Sequence, residues 1–238
     1  MWLVLLEQGG YRVRSDGIFG RPTSVILCGS SRPLLNWVAY ALASTTDSGF
    51  IWTDVRLEGE VLADSDPLAR GLVPPDRLAV VYPNVLKPND AAANMAIGGV
   101  VRSDEPPDTV RRMVDFLRLP LPTQRLLAGA PPGGRPMVLV LSNAHHMTVL
   151  YPTETVAPVL RAVIDAGAIL FVTFADAPRE SRHAFETILH VGGNDPKAWK
   201  RATLRVEKGP SGGPLRAGSE HRLGELEVVA AVLGRGLK

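Results

Sequence analysis

Apolar runs closed by turn residues recur along this chain at intervals that suit strands alternating with helices. Residues 24–28 (SVILC) make a short apolar run, as a parallel strand buried on both faces requires. A Gly-Ser-Ser turn follows, and 33–43 then places Leu34, Leu35, Val38 and Leu42 at helical spacing with Trp37 and Tyr40. Ser31 suits the N-cap of that helix and Pro33 its first turn. Further strands are predicted over 50–55 (FIWTDV), 78–82 (LAVVY), 137–141 (MVLVL) and 168–174 (AILFVTF). Helices are predicted over 66–69 (closed by Gly71), 89–99, 107–119, 153–166 (closed by Gly167) and 181–188. An edge strand is expected at 188–191, and 202–207 with 225–229 reads as a terminal antiparallel pair, because both alternate apolar and polar residues. Residues 2–6 and 11–14 suit a short strand pair or arm.

Strands alternating with helices predict a doubly wound α/β/α domain, and the switch to alternating strands near the end adds an antiparallel hairpin to a mostly parallel sheet. The expected division is an N-terminal arm over 1–22 and one core domain over 23–238.

Composition narrows the partners. With 238 residues, 45% of them apolar, the chain is long enough for a large core. A net charge of +2 does not mark a nucleic-acid or membrane protein. A single cysteine, Cys28, excludes an internal disulfide and fits a reducing compartment. The first ten residues lack the basic and cleavage regions of a signal peptide, and no apolar run is long enough to span a bilayer. The expectation is a cytoplasmic protein.

Taken in order, several segments resemble the RecA/KaiC superfamily of P-loop ATPases. Residues 15–31 (SDGIFGRPTSVILCGSS) are similar to the lead-in, strand and turn of the phosphate loop. Residues 50–83 resemble the following strand with acidic residues at its end and an Asp-Pro turn. Residues 135–147 fall where the Walker B strand belongs, and 168–174 where the sensor strand belongs. Residues 202–229 resemble the hairpin from which a basic residue reaches a neighbour's nucleotide.

The site itself departs from that pattern. A phosphate loop needs Gly-x-x-x-x-Gly-Lys-Ser/Thr, whose N–H groups wrap the phosphates, whose lysine reaches the β/γ oxygens and whose hydroxyl binds Mg²⁺. Here the loop reads Gly29-Ser30-Ser31-Arg32-Pro33-Leu34-Leu35-Asn36. Arg32 lies too early to replace the lysine, and Pro33 removes a donor. Ser142 follows the fourth strand where the Walker B aspartate is due.

The resemblance therefore implies a catalytically degenerate RecA/KaiC-like domain, and the absent Walker A lysine and Walker B aspartate weigh against enzyme activity. It would bind, scaffold or regulate a protein partner or a second copy of itself, in company with an active ATPase or a DNA-processing complex. No cofactor and no metal are expected. ATP, if held, would touch Gly29, Ser30, Ser31, Arg32 and Ser142 without being hydrolysed. Lys208 and Arg205 are the candidates for contacts between subunits or with a partner. Arg179, Arg182, Lys200 and Arg201 are the candidates for nucleic acid, with Trp199 placed to stack a base.

Competing expectations are an atypical nucleotide-binding ATPase and a weakly DNA-binding recombinase-like paralogue. A hydrolase built on Cys28 or Ser30 with His145 or His146, oriented by Asp176, needs the first and fourth strands to be neighbours. Asp54, Glu58 and Glu60 read either as echoes of the family's water-poising acids or as a solvated loop, and the missing phosphate loop favours the second.

Overall fold

A computed structural model describes residues 3–7, 10–14, 23–44, 50–57, 59–81, 138–149, 169–176, 183, 185–209 and 216–237. The helices expected at 89–99, 107–119 and 153–166 lie outside the described residues.

The long apolar runs become the interior strands of one eight-stranded mixed sheet. Its strands are β3 (Thr23–Cys28), β4 (Phe50–Val55), β5 (Leu78–Val81), β6 (Val138–Ser142), β7 (Ile169–Phe174), β8 (Thr187–Gly192), β9 (Thr203–Lys208) and β10 (Glu220–Arg222). A separate antiparallel pair, β1 (Leu3–Glu7) and β2 (Gly10–Arg14), precedes it. The order across the large sheet is β10-β9-β8-β3-β7-β6-β4-β5. From β8 to β5 all pairings are parallel, and β9 and β10 are added antiparallel. The architecture is α/β.

In β6 and β7 every residue is buried, so both faces of these strands are covered, as their unbroken apolar runs predict. Helix α1 (Arg32–Ser44) packs on β3, β6 and β7. The C-terminal helix α2 (Glu227–Gly236) packs on α1 and reaches β2. The core on this side gathers Leu34, Trp37, Val38, Trp52, Phe171 and Leu233.

Several expectations are corrected. Residues 225–229 do not pair with β9: Glu220–Arg222 does, while Glu227 opens α2. Leu226, Val229 and Leu233 are the buried positions, a helical spacing that the short Glu-Leu-Glu-Val alternation masks. The 66–69 segment is a hydrogen-bonded turn and not a helix; Gly71, at φ +65°, closes it as expected. Residues 187 and 188 are strand and not the end of a helix, and β8 is interior, flanked by β3 and β9, not an edge.

The first and fourth core strands, β3 and β6, are not neighbours. β7 lies between them.

Candidate functional site

Because β3, β4, β6, β7 and β8 are parallel, their carboxyl ends share one edge, the edge where ligands of open α/β sheets bind. Register sets which side chains meet there. Asp54 on β4 is directly opposite Ser142 on β6, and Cys28 on β3 is opposite both Phe174 and His190.

Asp54 is fully buried at the end of an apolar strand. A carboxylate in that position must be met by donors. Its Oδ1 accepts from Ser142 Oγ at 2.6 Å, Arg32 Nη2 at 3.0 Å and Asn143 Nδ2 at 3.1 Å. Its Oδ2 accepts from Arg56 Nε at 2.6 Å and Arg32 Nη2 at 3.1 Å. The expected solvated loop is thus corrected for Asp54. Glu58 lies outside the described residues, and Glu60 is half-buried.

Glu60 reaches back over this edge. Oε1 accepts from Arg32 Nη1, Oε2 accepts from the Leu57 N–H at 3.0 Å, and His146 Nε2 is 3.4 Å away. Burial works to raise the Glu60 pKa, but the Leu57 N–H and the Arg32 guanidinium outweigh it and hold the carboxyl below its ordinary value. Burial lowers His146 as well, and pushes His145 down to about 4. Both shifts favour the neutral ring. The two rings lie tilted at 47° to each other with centroids 4.1 Å apart.

Ser142 uses its hydroxyl twice, accepting from Trp52 Nε1 at 2.8 Å and donating to Asp54. It is wholly buried. Asn143 takes φ +56°, a left-handed turn that asparagine tolerates, and its N–H donates to Thr173 Oγ1 at 2.8 Å. That turn swings His145 and His146 over the edge.

The loop residues separate. Ser30 is exposed and donates to Asn194 Oδ1. Gly29 lies so close to β8 that a Cβ there would sit 2.6 Å from the Val191 carbonyl oxygen. Ser31 precedes α1, but its buried Oγ has no partner among the described residues; the first helical bond is Leu35 N–H to the Ser31 carbonyl, so the expected side-chain cap is absent there. Arg32 turns away from the loop towards Asp54 and Glu60.

The hydrolase constellation does not assemble as expected. Cys28 is buried on β3, with β7 between it and the strand that leads to His145, and Asp176 is exposed. Among the described residues no cluster of His, Cys, Asp and Glu suits a metal.

Arg205 is exposed on β9 opposite Glu220 and His190. Lys208 donates to the Phe185 carbonyl of its own chain at 2.5 Å. Lys200 and Arg201 are exposed, whereas Arg179 and Arg182 lie outside the described residues. Trp199 is 5% exposed, so its ring serves mainly the core and is not the open platform that stacking a base requires. A groove of about 510 Å³ is lined by Trp199, Lys200, Arg222, Glu225, Ala230 and Gly234, and it shares no residue with the Asp54 cluster.

No family model matches this chain, and no curated protein matches it. Among the described residues no helix is long and apolar enough to cross a membrane.

Proposed function

We propose that this chain is a RecA/KaiC-like, doubly wound domain that has given up ATP hydrolysis and works by binding another protein or a second copy of itself. The observation that carries the reading is Arg32. It stands at the head of α1, and its guanidinium is bound by Asp54 and Glu60 of the same chain. The cluster sets two guanidiniums, Arg32 and Arg56, against two carboxylates, Asp54 and Glu60, and so carries no net positive charge to attract a polyphosphate.

Ser142 supports the same reading. Its hydroxyl is already engaged by Trp52 and Asp54, and the loop over 29–36 has no lysine and the fourth strand no terminal aspartate to take over. The parallel strands and α1 keep the frame of the nucleotide fold, while its reactive positions serve internal packing.

Two measurements test this. ATP with Mg²⁺ should show no turnover above the protein-free rate, and nucleotides should not shift thermal unfolding. A nucleotide bound only by the folded state adds about 2.7 kcal/mol of stability at 100 times its dissociation constant, so binding would be plain to see. Saturable, Mg²⁺-dependent turnover that disappears in Ser142→Ala or Asp54→Asn would overturn the proposal.

A further inference from the structure

A second buried acid lies outside the Asp54 cluster. Asp66 is fully buried in the turn that runs on from Glu60, and it faces Asn36 of α1, which is also fully buried. Asp66 Oδ1 accepts from the Leu68 N–H at 2.9 Å, and Oδ2 accepts from Asn36 Nδ2 at 2.9 Å. No guanidinium or ammonium group bonds it among the described residues. One atom of the pair is left over: Asn36 Oδ1 is buried and receives no donor among the described residues. A buried acceptor without a donor is costly, and a bare carboxylate cannot supply one.

We propose that Asn36 and Asp66 form a proton-operated clasp, in which Asp66 takes one proton from solvent onto Oδ1 and donates it to Asn36 Oδ1, fastening the 63–72 turn to α1. The planar carboxyl and planar amide then close a two-bond ring: Asn36 Nδ2–H to Asp66 Oδ2, and Asp66 Oδ1–H to Asn36 Oδ1. Oδ1 keeps a lone pair for the Leu68 N–H. The only covalent change is one O–H bond formed on uptake and broken on release.

Electrostatics favour the same state. Burial, the largest influence, pushes Asp66 up to about 6, against the Leu68 and Asn36 donors. Two charged groups face it from the elements packed around it: Arg32 of α1, which favours the carboxylate, and Asp54 of β4, which opposes it. Arg70, in the same turn, is directed instead to the carbonyls of Asp64 and Gly236. The turn is also held to α1 by Trp37 Nε1, which donates to the Ser65 carbonyl at 2.6 Å, and by Leu68, which is buried in the same core cluster as Trp37. Releasing the proton therefore loosens the segment that leads directly from Glu60, the residue that holds Arg32.

The test is local and uses the intact chain. The Asp66 carboxyl ¹³C resonance is followed with pH, together with hydrogen exchange of the Arg70, Gly71 and Leu72 amides, which bond back to Asp66, Leu68 and Pro67. Exchange is corrected for its intrinsic pH dependence. The carboxyl should titrate near pH 6, and protection of these amides should rise about tenfold between pH 7.5 and 5, the linkage for a folded value near 6 against an ordinary carboxylate. Asp66→Asn supplies the second bond at every pH but its Nδ2 cannot accept from the Leu68 N–H, so the protection of its turn should no longer change between pH 7.5 and 5. A carboxyl that titrates in the ordinary range, or amide protection that ignores pH while the carboxyl titrates, overturns the clasp. If Asp66→Asn fails to fold, the wild-type titration still decides.

Discussion

Arg32 Nη2 lies 3.0 and 3.1 Å from the two carboxylate oxygens of Asp54, a residue 22 positions away with no exposed surface. The contact joins the start of α1 to the end of β4 and fixes the direction of the Arg32 side chain. A charge pair in such a place adds little net stability over a well-packed apolar pair, but losing one member leaves the other stranded. The cation at the head of α1 is thus committed to the architecture of its own domain.

Replacing Asp54 with alanine should cost about 3–5 kcal/mol, since Arg32 and Arg56 both lose their buried partner. Glu60→Ala removes a half-exposed partner and should cost about 1 kcal/mol or less. Chemical denaturation of both variants gives the comparison. Equal costs would refute the central place given to Asp54.

Acid titration should expose two opposing groups. His145 has a folded value near 4, below its ordinary value, so the unfolded chain binds more protons between about pH 6.5 and 4 and stability falls as pH drops. His146, also lowered, acts in the same direction. Asp66 has a folded value near 6, above its ordinary value, so the folded chain binds more protons between about pH 6 and 4 and stability rises as pH drops. On acidification the thermal unfolding midpoint of His145→Gln should therefore rise relative to the wild type's, and that of Asp66→Asn should fall relative to it. Parallel curves for all three proteins would contradict these assignments.

Gly236 closes α2 against the Trp37 ring, and a Cβ there would fall 1.9 Å from Cη2. Helix propensity favours alanine at such a position by about 1 kcal/mol, whereas forcing a methyl into a packed ring costs about 1–3 kcal/mol. Sterics should win: Gly236→Ala should lower the unfolding midpoint and change the tryptophan emission. A stabilised variant would show that α2 does not seal α1 in this way.

Gly29→Ala should be destabilising by about 1–3 kcal/mol, because the obstacle to its methyl is the backbone carbonyl of Val191 and not a side chain that can turn aside. Urea unfolding measures it. A neutral result would mean that β3 and β8 can part at their carboxyl ends without penalty.

The parallel core was legible in advance because its strands are short apolar runs buried on both faces, as 24–28, 137–141 and 168–174 show. The order of those strands was not, since periodicity carries no information on which run sits beside which; hence the misplaced neighbourhood of Cys28 and His145. The α2 segment misled because two residues of alternation fit a strand as well as a helix, and only Leu233, further on, breaks the tie. The site was half legible. The missing lysine and aspartate are visible directly, whereas the acidic run Asp54, Glu58 and Glu60 suggests a solvated loop; Asp54 departs from it because it follows Trp52 and Thr53 within a strand, where a charge is kept only if partners meet it. The Asn36–Asp66 pair left no local signal, because two polar residues 30 positions apart become a pair only when the turn folds onto α1.

The junction of Gly236 with Trp37 and Arg70 also orders events in time. Arg70 meets the Gly236 carbonyl 166 positions later in the chain, and α1 is older still. During synthesis the Trp37 face of α1 therefore emerges long before the helix that covers it. Throughout that interval an apolar stripe faces the crowded surroundings of the ribosome, a state prone to sticking and served by chaperones. The Trp37 face of α1 thus gains its α2 cover only once residues 227–236 have been made.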